Sequence, residues 1–219
     1  MVQYGITYPN TSIWVSQKLP FKVAKKAEEL GFDSFMTYDH YMLPSSNKTY
    51  EAWILLSAIS GITKKIRLGT VVTPIPFRPP GMLAKIVATL DFLSNGRVIL
   101  GIGAGWHRPE FEGFSEWTNS SGRVSKTEEG LKLMIELWTK EKVSFKGKHY
   151  RALGAVIDPK PIQKPYPPLW FGTTGKRMLK LTAKYGDGWI PVGIDAKQYS
   201  VLKQQLEEML DLYDKKSKT

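Results

Sequence analysis

Between Ile66 and Glu110 the chain runs from an apolar, β-branched stretch through a helical pattern into a second apolar stretch. The first stretch, Ile66 to Thr73, turns a Pro-rich corner into a segment where Leu83, Ile86, Val87 and Leu90 recur at helical spacing. Asn95-Gly96 supplies the next turn, and Val98 to Ile102 returns the chain to the sheet. This is a βαβ unit, whose two strands should be parallel neighbours with the helix outside. Both strands end in unusual loops, Thr73 to Pro80 and Gly101 to Glu110. In parallel α/β folds that edge is where ligands bind.

The rest of the chain repeats this alternation. Val2 to Thr7 is a strand pattern. A helix from about Pro20 follows, with Val23, Ala24, Ala27 and Leu30 on one face and Gly31 as its stop. Ser34 to Tyr38 is a strand, Glu51 to Thr63 a helix, and Phe111 to Gly122 a long polar connection into a helix through Leu131, Met134, Ile135 and Trp138. Val143 to Tyr150, with its turn at Lys146-Gly147, reads as a hairpin, within an insertion at about 140–166. Asp158 to Pro168 is too Pro-rich for a helix or a central strand and should run extended. A strand (Leu169 to Phe171), a helix (Lys176 to Lys184), the turn Gly186-Asp187-Gly188 and a strand (Trp189 to Val192) follow. The last helix carries Leu202, Leu206, Met209, Leu210 and Tyr213 on one face and leads to a solvated tail, Lys215 to Thr219.

Six strands, about six helices and one hairpin predict an α/β fold of the (β/α)₈ TIM-barrel type. A closed barrel needs two more units and typically about 250 residues. The expectation is a single domain over 1–219 with the C-terminal βα units missing and an open edge to cover.

Composition narrows the functional classes. With 42% apolar residues, 7 Trp, 10 Tyr and 9 Phe, the chain is globular. No run approaches the roughly 18 uncharged apolar residues of a membrane helix and the start lacks a signal pattern, so a cytoplasmic protein without membrane contact is expected. Zero cysteines and three histidines leave no thiol chemistry and disfavour a metal centre. The net charge of +11 comes from lysines dispersed along helices, which argues against nucleic acid and suits a small polyanionic ligand.

Asp39-His40 sits at a strand's carboxyl end, an imidazole suited to proton transfer beside a carboxylate. Taken alone it reads equally as a surface turn. Glu110 is a second candidate, and also an ordinary acidic residue in the first turn of a helix. Gly101, Gly103 and Gly105 do not complete a dinucleotide fingerprint and read better as close backbone approach. Gly172-Thr173-Thr174-Gly175 follows a late strand and opens a helix, where amides and dipole favour an anion; an ordinary Thr cap is the alternative.

Together, GFDSFMTYDH (31–40), residues 51–111, PPLWFGTTGKRMLKLTAKYGDGWIP (167–191) and the Arg123/Glu128 R-x-x-x-x-E pattern resemble the luciferase-like monooxygenase family, in its coenzyme F420-dependent branch. The resemblance implies a TIM-barrel enzyme that holds a deazaflavin ring in the barrel mouth. It implies a bulge with a non-prolyl cis peptide at about Val71-Val72-Thr73, and His40, Asp39 and Glu110 as catalytic residues. Implied cofactor contacts are Asp39, Thr70, Val71, Val72, Thr73, Gly103, Gly105, Trp106 and the phosphate turn Gly172, Thr173, Thr174 and Gly175. No metal is implied. Tyr41 to Pro44 lack the Trp that follows the Asp-His pair in sugar-phosphate dehydrogenases of this branch, so that substrate is not implied. The expected function is hydride transfer between a small organic substrate and F420 in a homodimer. The alternatives are an FMN-dependent monooxygenase and a truncated, non-catalytic flavin-binding protein.

Overall fold

A computed structural model describes residues 2–213. In chain order the elements are β1 (Gly5–Tyr8), α1 (Leu19–Glu29), β2 (Ser34–Thr37), α2 (Ala52–Ser60), β3 (Arg67–Thr70), β4 (Thr73–Pro74), α3 (Pro80–Leu93) and β5 (Val98–Gly103). Then come α4 (Arg108–Phe114), α5 (Ser120–Thr139), β6 (Val143–Lys146), β7 (Arg151–Ala155), β8 (Leu169–Gly172), α6 (Lys176–Tyr185), β9 (Gly188–Ile190) and α7 (Ala196–Asp211). The main sheet runs β1-β2-β3-β5-β8-β9 with every neighbouring pair parallel, and β4 lies beside β5. This is the expected barrel-type α/β arrangement, with all six strands aiming their carboxyl ends at one face.

Local chemistry explains the element boundaries. Pro20 starts α1, and Gly31, at φ +80°, turns the chain after it. Asn95 (φ 60°) and Gly96 (φ 76°) make the turn into β5. The side chains of Glu51 and Asn119 cap α2 and α5, and Asp195 and Gln198 form a capping box on α7. The core joins Trp53, Phe35, Leu68, Leu100 and Phe171 beneath the helices. A smaller cluster of Leu179, Ala183 and Leu206 seats α7 on α6.

Five local expectations change, the first being that Leu30, expected on the apolar face of α1, caps its end and stands 64% exposed. The run Ile66 to Thr73 is not one strand: pairing stops after Thr70 and resumes at Thr73 with Ile102, and between them Val71 and Val72 are joined by a non-prolyl cis peptide bond, as the family resemblance implied. Part of the polar connection after Phe111 is helical, because α4 (Arg108–Phe114), with Pro109 in its first turn, runs into it and buries Glu110 and Phe111. The hairpin turn is Gly147 to Tyr150, not Lys146-Gly147, and the second strand is Arg151–Ala155. Its cause is Glu129 of α5, whose carboxylate accepts the N–H groups of Lys148, His149 and Tyr150 and opens the turn around itself. Tyr213 lies past the end of α7 and is exposed rather than on its apolar face. The expected tail, Lys215 to Thr219, lies outside the described residues. Among the described residues no helix is long and apolar enough to cross a membrane.

Burial shows in the tyrosines. Desolvation pushes the phenols of Tyr8, Tyr41 and Tyr150 up to about 12. A raised folded-state pKa stabilises the protonated protein, so this contribution is complete below pH ~10 and is lost as pH climbs toward 12. A spectroscopic phenolate titration should show these three of the ten tyrosines ionising last, together with loss of the native circular dichroism. Simultaneous titration of all ten near pH 10 in a folded chain would contradict this packing.

Candidate functional site

A cleft of about 1010 Å³ opens at the carboxyl ends of the strands, large for the roughly 300–1,000 Å³ of small-molecule sites. It is lined by His40 after β2, Val71 and Val72 after β3, and Gly103, Gly105 and Trp106 after β5. Gly172, Thr173, Thr174 and Gly175, between β8 and α6, close its far end. The structure thus brings together ten sequence-selected residues from four strand ends. Glu110, Asp39, Thr70 and Thr73 lie underneath, fully buried rather than in the wall.

His40 does not pair with its neighbour Asp39. Successive side chains of an extended segment point to opposite sides, and these two part accordingly. The imidazole Nδ1 lies 2.9 Å from Glu110 Oε2, a residue 70 positions away brought back by α4. Glu110 Oε1 accepts the N–H groups of Tyr41 and Met42. An ionised carboxylate only accepts, so Nδ1 carries the hydrogen and Nε2 is left as the acceptor of the neutral ring. The indole of Trp106 stands near-perpendicular to the imidazole, 5.9 Å away.

Asp39 belongs to a buried cluster below. Arg78 donates to both of its oxygens at 2.8 Å, and Thr73 Oγ1 and Trp53 Nε1 donate at 2.7 and 3.3 Å. Arg78 also reaches Glu51, the cap of α2. Burial alone would lower the basicity of Arg78, but the Asp39 carboxylate outweighs it and holds the guanidinium above its ordinary pKa. The bidentate pair fixes the backbone at Asp39, and so the place from which His40 departs.

The glycines of the β5 and β8 ends serve close approach. A Cβ on Gly103 would stand 2.6 Å from Val72 Cγ2, and one on Gly172 2.8 Å from Val72 Cγ1. Val72 therefore wedges between the two strand ends and forms the floor of the cleft. Arg123 Nε donates to the Gly105 carbonyl at 3.1 Å while its guanidinium covers the Trp117 ring at 3.9 Å. Glu128, its partner in the sequence pattern, pairs instead with Lys132.

At the far end, Gly175 is the N-cap of α6 with no side-chain cap, leaving first-turn amides free toward the cleft beside Lys176 and Arg177. Arg177 bridges to Ser121 and Ser125 of α5. Arg78, Glu51, Arg177 and Ser121 were not singled out in the sequence, since charged and hydroxyl residues at such separations give no local pattern; only the capping position of Glu51 was readable.

Comparison with known proteins places the fold in a family. The model of the luciferase-like monooxygenase family matches residues 21–217. The chain belongs to that family. It is similar to the F420-dependent glucose-6-phosphate dehydrogenase of Amycolatopsis mediterranei (strain U-32), with 36% identity over 76% of this chain and 51% of that one. It is also similar to the phthiodiolone/phenolphthiodiolone dimycocerosates ketoreductase of Mycobacterium bovis (strain BCG / Pasteur 1173P2), 31% identical over 83% of this chain and 47% of that one. The solved F420-dependent secondary alcohol dehydrogenase in complex with an F420-acetone adduct superposes with a TM-score of 0.86 at 30% identity, over 99% of this chain and 66% of that chain. The chain thus spans about half the length of these curated relatives.

Proposed function

We propose that the cleft binds coenzyme F420 and that the chain serves the oxidoreduction of a small alcohol or carbonyl compound, with His40 as the proton-handling group. The observation that carries this reading is the His40–Glu110 pair at 2.9 Å, which directs a free imidazole nitrogen into a cleft with an anion-suited turn at its far end. The donor set fits the coenzyme. Val71 and Val72 offer an apolar backing for a flat ring, and the amides of Gly172 to Gly175 with Lys176 suit a phosphate. The names of the similar dehydrogenases support the same coenzyme.

When bound, the coenzyme supplies a ring that takes or returns one hydrogen with two electrons. The chain's own residues do the remainder. As the alcohol becomes a carbonyl, its hydroxyl proton passes to His40 Nε2; in the reverse direction His40 returns it. Glu110 holds the Nδ1 hydrogen and steadies the resulting imidazolium, while Asp39 and Arg78 act as positioning residues through the backbone.

Fluorescence titration of the chain with F420 and separately with FMN tests this. Saturable binding of F420 and much weaker binding of FMN is expected. Preference for FMN with oxygen consumption would favour the monooxygenase reading. Binding without turnover of any alcohol or ketone would favour a non-catalytic flavin-binding protein. Self-association is supported by the outer strands β1 and β9 and by exposed Val2, Tyr4 and Val192; light scattering should give a dimer mass, and a monomer at high concentration would rule that assembly out.

A further inference from the structure

The two ends of the cleft differ in charge, and this bears on the substrate. The cations in its wall are Lys176 and Arg177, both in the first turn of α6, and Arg177 is already engaged with Ser121 and Ser125. The carboxyl ends of β2 and β8 are separated by β3 and β5, roughly 14 Å along the sheet at about 4.8 Å per strand. At the His40 end the wall formed by the described residues is Tyr38, Val71, Val72, Pro74 and Trp106, which bring no charged side chain to the imidazole. The guanidinium of Arg78 lies beneath, fully committed to Asp39 and Glu51.

Trp106 is held in place by the loop that carries it. Gly105 takes φ +79°, where a Cβ would meet the Phe111 ring at 2.4 Å, and its carbonyl is tied to Arg123. The indole sets its edge relation to His40 yet remains 60% exposed, so most of its surface stays open beside the imidazole. An aromatic surface of this kind covers apolar groups and offers a phosphate no countercharge.

We propose that this site takes an uncharged, largely apolar secondary alcohol or ketone rather than a phosphorylated sugar, and that Trp106 is the residue that sets the preference. The inference rests on the reading of the cleft as a coenzyme site: a coenzyme phosphate on the Gly172–Gly175 turn occupies the cations, and a second phosphate beside His40 would meet none among the described residues. A substrate of one hydroxyl and two hydrocarbon arms satisfies the wall as it stands, its oxygen on His40 Nε2 and an arm against the indole.

The test is ligand-observed ¹⁹F NMR of 1-(4-fluorophenyl)ethanol with the F420-loaded chain, with glucose 6-phosphate as competitor. Coenzyme affinity is measured first on each sample. Saturable alcohol binding that a large excess of glucose 6-phosphate does not displace is expected. Trp106→Ala, kept saturated with coenzyme, should weaken the alcohol about tenfold, whereas Trp106→Phe should retain most of the affinity. Displacement by the sugar phosphate, or alcohol affinity unchanged in Trp106→Ala, overturns the inference while leaving the coenzyme reading intact. Failure of the wild-type chain to bind F420 overturns both.

Discussion

His40→Ala is expected to lower kcat/KM for alcohol oxidation about 10²- to 10⁴-fold while coenzyme affinity changes little, because only the proton acceptor is lost. Glu110→Gln should act almost as strongly by a different route. The Gln carbonyl oxygen can still receive the N–H groups of Tyr41 and Met42, the donors that Glu110 holds in the native chain. Its NH₂ then faces His40 Nδ1 and forces the hydrogen onto Nε2, the nitrogen that must accept the proton. Rescue by added imidazole separates the two: it should restore part of the rate to His40→Ala, where the acceptor is missing, and none to Glu110→Gln, where the misoriented ring still fills the place. Unchanged kcat/KM in both variants would remove the dyad from the chemistry.

Arg78→Met is expected to cost about 3–5 kcal/mol of stability, the typical price of leaving a buried carboxylate without its partner. Asp39 is 1% exposed and Arg78 9%, so neither group can turn to water. The pair-removing variant Asp39→Asn/Arg78→Met should regain much of the loss, since it leaves no uncompensated charge. Urea denaturation of the two variants against the wild type measures this. A loss below about 1 kcal/mol for Arg78→Met would mean that the pair behaves as a surface ion pair. The same single variant should also depress turnover, because Asp39 anchors the backbone from which His40 and Tyr41 N–H reach the cleft and Glu110.

The order of strands and helices was readable because most main-sheet strands are short apolar runs near Gly, Pro or Asn turns, and most helical stripe positions face the core. The cleft walls were largely readable too, since they are strand ends with unusual loops. The partnership inside the site was not. Adjacent Asp39 and His40 look like a working pair in a linear string, yet the two-residue period of an extended chain sends one down to Arg78 and the other across to Glu110. Those contacts span 39 and 70 positions, and their selection depends on the corner at Val71-Val72 and on the short helix α4. Gly103 was legible as a point of close approach, but the group approached proved to be Val72, which also crowds Gly172 of the anion turn. The hairpin turn was displaced by Glu129, a residue outside the hairpin altogether.

The central claim is that this one cleft holds the coenzyme with its ring at His40, and a crystal structure of the chain with F420 tests it most directly. The ring should lie against Val71 and Val72 with His40 Nε2 facing its reactive edge, and the phosphate should accept hydrogen bonds from the Gly172–Gly175 segment. A coenzyme seated elsewhere, or bound with its phosphate at His40 and its ring against α6, would contradict the account.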